Sequence, residues 1–387
     1  MPDLIVDLEK LKHNIQYLKS FCDRKRVELV GVVKSCESSL PVIQLFQRSG
    51  VASLGISNLL TARELHPHFN ERPLLVAIPS AREAGAVVSY CQSSLNSELE
   101  TIKALAEAAE RAEVTHDVLL MIDVGDLREG VMPEDALKTV RKILELGSPH
   151  IRVSGIGANL ACCSGTLPSS ENVSLLHGLA LDIEKGLGCP IEKVSLGGSV
   201  MLDWMESHSL PARINQLRVG EAILLGTIPG VDKKHKDLLD DAFLFAGTVL
   251  EVKTKPSVPV GEVGKDAFGL KPRFEDKGLR KRAIVNLGAI HTTPRCLIPA
   301  QDKVQFVNSN SNYSIYDVTD CPQDFRPGDT MEFKLTYSSL VQGLLSPYVK
   351  KSYVGLGHAK TSEARRPCFS MATSHAVASS AEQPTDS

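Results

Sequence analysis

The sequence predicts an α/β protein: an N-terminal (β/α)8 TIM barrel followed by a mostly antiparallel C-terminal β-domain. Two observations predict it. From Ile5 to about Gly226 one unit recurs, a short β-rich apolar run, a turn and a stretch of helical period, and it recurs often enough to supply eight strands. After Gly226 the helical periods disappear, alternating apolar runs replace them, and Pro and Gly turns multiply. A chain of 387 residues is also too long for one ordinary core. The expected division is therefore residues 1–228 as barrel, 229–353 as β-domain and 354–387 as a tail. That tail is read as disordered, because it is rich in Ser, Ala, Thr and Glu and poor in large apolar residues.

Each element has its own pattern. Leu8, Leu11, Ile15, Leu18 and Phe21 fall on one face of a first helix. Strands are expected at Glu28–Val33, Ser53–Ile56, Leu74–Ile78, Ser93–Asn96, Val118–Asp123, Arg152–Asn159, Lys193–Leu196 and Gln216–Val219. Between them lie helical stretches such as Leu59–Leu65, Glu83–Tyr90, Glu98–Arg111, Pro133–Leu146, Glu171–Gly186 and a shorter one around Met201–Glu206. A doubly wound open sheet gives a similar pattern; the number of strands matches the barrel. In the second unit the strand runs are Phe243–Lys253, Lys281–Ala289, Val304–Phe306, Tyr313–Val318 and Thr330–Tyr337.

Composition narrows the partners. Lys and Arg total 43 against 46 Asp and Glu, a net charge of −3 with no long basic run, so nucleic acid is not an expected partner. Nine scattered cysteines without a Cys-x-x-Cys pair fit a reduced, cytoplasmic compartment. Residues 1–12 alternate apolar with charged side chains, and no run approaches the ~20 apolar residues of a membrane span, so a soluble protein is expected. His66-Pro67-His68 is the only close histidine pair and lacks the spacing of a zinc site, so no metal is assigned.

The first chemical signal is Val30-Gly31-Val32-Val33-Lys34-Ser35, an apolar strand ending in a lysine. Barrel active sites stand at the C-terminal ends of strands, where an amine in an environment that disfavours its charge can attack an aldehyde. The alternative is a lysine snorkelling at a strand end.

Further segments give this lysine a context: Leu95-Asn96-Ser97-Glu98-Leu99, Ile122-Asp123-Val124-Gly125-Asp126-Leu127-Arg128-Glu129-Gly130, Leu217-Arg218-Val219-Gly220-Glu221, Lys255-Pro256-Ser257, Gly261-Glu262 and Asp266-Ala267-Phe268-Gly269. In this order they resemble the alanine racemase-type fold of pyridoxal-phosphate enzymes, and more closely its ornithine racemase branch, over roughly residues 3 to 350. The resemblance implies a pyridoxal 5'-phosphate cofactor held covalently by Lys34. It also implies an amino-acid racemase of basic specificity, with ornithine or lysine as substrate, working as a head-to-tail homodimer.

The same resemblance assigns roles. Leu196-Gly197-Gly198-Ser199 and Gly220-Glu221 would present backbone N–H groups to the phosphate, Ser199, Gly220 and Glu221 included, although such Gly pairs also occur as plain turns. Arg218 would face the pyridine nitrogen; a guanidinium keeps its proton, so the ring nitrogen stays unprotonated. The other reading of Arg218 is a surface pair with Glu221. Arg128 would contact the cofactor's phenolic oxygen and the substrate carboxylate, a task that suits a planar guanidinium. Asn159 stands where a histidine often supports the ring arginine, and Tyr348 is matched to a tyrosine closing over the phosphate, with Tyr337 as competitor.

Three departures are visible. Met121 replaces a lysine that is commonly carbamylated in alanine racemases. Asn159 replaces the histidine. Val260-Gly261 replaces the tyrosine that a partner subunit would supply as second base. The charge-rich loop Gly261–Asp276, with Glu262, Lys265, Asp266, Glu275 and Asp276, is the region in which to seek a substitute. Within it Asp266 is assigned as catalytic beside Lys34, with binding of a distal ammonium as its other reading and plain solvated surface as the third. Cys162-Cys163 is a candidate pocket wall. Two other classes remain beside racemisation: a lyase, aldolase or decarboxylase, on the same fold, and a non-catalytic cofactor carrier, against which the β-domain argues.

Overall fold

The computed structural model describes residues 1–36, 39–51, 53–69, 71–231, 233–356 and 358–363. Eight parallel strands close into the expected barrel: Glu28–Val32, Leu54–Ile56, Leu74–Leu75, Ser93–Asn96, His116–Met121, Ile151–Asn159, Lys193–Gly197 and Gln216–Val219. Closure is made by the first and last strands, with Glu28 opposite Gln216 and Gly31 opposite Val219. Val30, Leu74, Leu95, Leu119 and Met121 form a small apolar cluster of their own inside.

The first helix, Leu8–Lys25, buries its predicted stripe against the larger core. Asp7 caps it, accepting from the N–H groups of Glu9 and Lys10 at 3.0 Å, which satisfies two of the orphan donors of the first turn. Helices Leu59–Leu65, Leu99–Arg111, Ala136–Leu144, Ser170–Leu187 and Met201–Ser207 follow their patterns within a few residues.

The second unit is a nine-stranded sheet built on the long strand Phe243–Pro256. It has two features that the sequence pattern did not yield. The N-terminal strand Asp3–Asp7, counted with the barrel above, pairs antiparallel with Phe243–Pro256 and parallel with Lys350–Gly355. The chain thus starts in the sheet, leaves to build the barrel and returns, so the β-domain is discontinuous in sequence. Second, the alternation predicts one strand over Thr330–Tyr337, but the strand stops at Leu335 and helix Tyr337–Leu345 follows. Thr336 and Ser339 form a capping box there, which turns the chain despite a β-rich lead-in.

The expected tail also begins later than position 354. His358–Glu363 forms an antiparallel strand on Lys350–Gly355. The remainder of that disorder expectation, 357 and 364–387, lies outside the described residues. Among the described residues no helix is long and apolar enough to cross a membrane.

Candidate functional site

The site stands at the mouth of the barrel, where the C-terminal ends of the strands converge. A cavity of about 240 Å³ is lined by Lys34, Arg128, Asn159, Ser199, Arg218, Gly220 and Glu221 together with Tyr337. Lys34 follows directly after buried Val33 at the end of the first strand and is exposed to the cavity. Its Nζ lies 5.9 Å from the centre of the Tyr337 ring, within cation–π range. The end of the strand at Leu335 and the start of helix Tyr337–Leu345 place this tyrosine of the β-domain at the barrel mouth.

Arg218 is the most deeply held cation of the group, with 3% of its surface exposed. It donates to Ser195 Oγ, to the Ala158 carbonyl at 2.8 Å and to Asn159 Oδ1 at 3.0 Å. Burial pushes its pKa down to about 10, opposed by the nearby charge of Glu129, so the guanidinium remains charged at neutral pH. Arg128 sits in the loop after the fifth strand, bound through Nε and Nη2 to both oxygens of Glu129. Its pKa is raised, because the hydrogen bonds and charge of Glu129 outweigh the burial that works against it.

The glycine-rich turn explains itself sterically. A Cβ on Gly197 would stand 2.1 Å from Asn159 Oδ1 and 2.8 Å from Arg218 Nη2, so the guanidinium can lie across the strand end only over a glycine. Ser199 is buried, and its Oγ accepts the Ala222 N–H at 3.0 Å, tying the turn after the seventh strand to the short helix Glu221–Leu225. Glu221 accepts from Thr227 Oγ at 3.0 Å. An amine, two guanidiniums and a close-approach glycine turn form a donor set that fits an anionic, phosphorylated aldehyde.

The alanine racemase N-terminal domain family matches residues 6–227. The chain belongs to the alanine racemase family. It is 34% identical to an ornithine racemase of Acetoanaerobium sticklandii over 90% of this chain and 99% of that one. It is likewise 34% identical to a lysine racemase of Thermotoga maritima, over 91% and 98%. An alanine racemase of Clostridium difficile superposes with a TM-score of 0.71, covering 94% of this chain and 98% of that one at 18% identity, a likeness of fold. These relatives support the racemase reading over the lyase alternative.

Two assigned residues fall outside the cavity of this family member. Tyr348 is 57% exposed and does not line it; Tyr337, the competitor, does. Asp266 lies in an outlying turn of the β-domain, where its Oδ1 accepts the N–H groups of Phe268 and Leu270 at 2.9 Å. Val260, beside the missing tyrosine, is 95% exposed. Cys162 lines the cavity, as was expected of the Cys162-Cys163 pair, whereas Cys163 does not.

Two carboxylates escaped the sequence reading. Asp126 is buried and accepts from the N–H groups of Cys162, Cys163 and Ser164 at 3.1 to 3.3 Å, pinning the two mouth loops together. Glu129 joins Arg128 to Asn159. Both stand in the quoted run Asp123–Gly130, where their acidity beside an arginine was the available signal. Among the described residues no group of three His, Cys, Asp or Glu side chains is placed to hold a metal ion.

Proposed function

We propose that this chain is a pyridoxal 5'-phosphate-dependent amino-acid racemase acting on a basic amino acid, with Lys34 holding the cofactor. The observation that carries the proposal is the convergence of Lys34, Arg128 and Arg218 with the Gly197–Ser199 and Gly220–Glu221 turns on one cavity. When bound, the cofactor supplies the electron sink that acidifies the amino acid's Cα–H. Around it the Lys34 amine exchanges the proton on one face, Arg128 orients the substrate carboxylate, and Arg218 and Asn159 contact the ring side. Ser199, Gly220 and Glu221 seat the phosphate end, beneath Tyr337 and not Tyr348.

The opposite face is assigned to the loop of a second subunit. Val260, Phe268, Leu270, Phe274 and Leu279 expose apolar surface on and beside that loop. Leu60, Ile78 and Leu127 expose more, in the segments that follow barrel strands at the mouth. Two apolar surfaces of this kind support a head-to-tail homodimer in which each loop covers the other barrel. Asp266 is then the acid presented to the substrate. Eight cysteines free of disulfides among the described residues support a reducing, cytoplasmic location.

The test is direct. Purified protein should absorb near the imine band, bind cofactor irreversibly on borohydride treatment, and lose that attachment in Lys34→Ala. Ornithine and lysine should lose optical rotation faster than alanine. Release of carbon dioxide or an aldehyde in place of the enantiomer would reject racemisation.

A further inference from the structure

Glu129 has no task in the roles set out above, yet its carboxylate accepts three side-chain hydrogen bonds at the mouth. Gly130 (φ +138°) permits this: a Cβ there would stand 2.4 Å from the Asp123 nitrogen, so only glycine lets the loop fold back on its strand. Val131 then donates to the Met121 carbonyl at 2.9 Å, and Asp123 to the Val131 carbonyl at 2.9 Å. The fold-back turns the Glu129 side chain inward, to 10% exposure against 34% for Arg128.

Both Glu129 oxygens accept from Arg128, and Oε1 also accepts from Asn159 Nδ2. Asn159 Oδ1 accepts from Arg218. A carboxylate can only accept and a guanidinium can only donate, so the orientation of the Asn159 amide between them is dictated. The result is an unbroken relay, Arg128 to Glu129 to Asn159 to Arg218, in which one negative charge serves two cations in a partly desolvated cavity. Met121 is fully buried and apolar, so the position that would carry a carbamylated lysine supplies no charge here.

We propose that Glu129 is the positioning residue of this site: its carboxylate sets Arg128 directly and Arg218 through the Asn159 amide, so that a single side chain orients both guanidiniums toward cofactor and substrate. The inference rests on the proposed function, since it concerns how those two arginines are held. Removing the charge loosens Arg128 from the carboxylate it is hydrogen-bonded to and leaves Arg218 with a less polarised acceptor.

The experiment uses full-length protein freed of cofactor and titrated with pyridoxal phosphate, followed by its visible band, with substrate KM measured on the reloaded enzyme. Glu129→Gln and Asn159→Asp should each weaken cofactor binding and raise KM by about tenfold or more, while the cofactor-free melting temperature stays within a few degrees of wild type. The combined variant Glu129→Gln/Asn159→Asp restores the relay with its charge moved one residue along, and should recover most of the lost affinity. Two independent losses that multiply instead, or a Glu129→Gln protein that binds cofactor as wild type does, would overturn the proposal. A wild-type protein that never forms the band overturns the proposed function itself, and the inference with it.

Discussion

The barrel mouth and the loop 257–278 of the β-domain are opposites in construction. In the mouth, side chains are held by one another: Arg218 at 3% exposure has three acceptors, and Gly197 leaves no room for any other residue. In the loop, Val260 is 95% exposed, and the Asp266 carboxylate bonds two amides of its own turn. One region is finished within a single chain. The other keeps its fold with local bonds and leaves its apolar side chains uncovered, the feature on which the proposed homodimer rests.

The largest expected effect breaks the finished side. Lys34→Ala should lower turnover by more than about a thousandfold and abolish borohydride trapping, read by enantiomer assay and intact mass, with the fold retained because the side chain is exposed. Next, Asp266→Asn isolates the unfinished side. Asparagine offers the same Oδ1 to Phe268 and Leu270, so the turn survives and only charge is removed. Turnover should fall roughly a hundredfold. A fall in kcat for every amino acid marks a proton-transfer role, a rise in KM confined to basic ones marks ammonium binding, and no change excludes both.

Tyr337→Leu should have a smaller effect, about threefold to tenfold on cofactor affinity, since it removes one ring at 5.9 Å from the Lys34 amine. Tyr348→Phe, on an exposed side chain outside the cavity, should leave that affinity unchanged. Equal effects from the two would erase the distinction drawn between them.

The smallest effect on turnover is expected at the far end of the barrel. His116 starts the fifth strand, is 1% exposed and meets Ser94 Oγ at 2.8 Å. Burial pushes its pKa down to about 4, partly opposed by Asp117. The folded state therefore keeps this ring neutral while the unfolded state protonates it from its ordinary 6.5, so stability falls as pH drops from about 6.5 to 4. The loss amounts to about 3 kcal/mol at the acid end. His116→Gln should flatten that part of the stability profile, measured by denaturant unfolding, while activity at neutral pH stays near wild type.

Some of this was legible because its cause is local. The stripe Leu8, Leu11, Ile15, Leu18 and Phe21 reports a helix by spacing alone, and an apolar strand that ends at Lys34 says where the amine must emerge. The strand Asp3–Asp7 was not legible, since its partner Lys350–Gly355 lies at the other end of the chain and a five-residue run carries little period. Tyr337 was legible as a competitor to Tyr348 but not as a helix residue, because a capping box, not apolar alternation, decides where the strand ends at Leu335.

From its own periods and punctuation, then, the chain determined a barrel, a β-domain and a lysine at the first strand's end, because hydrophobic spacing and chain direction act over a few residues. Which tyrosine covers that lysine, and that Glu129 and Asn159 bridge Arg128 to Arg218, were decided only when the barrel closed. Closure brings positions 129, 159 and 218 within hydrogen-bonding reach, and in that poorly solvated space polar groups must find partners that sequence distance does not reveal.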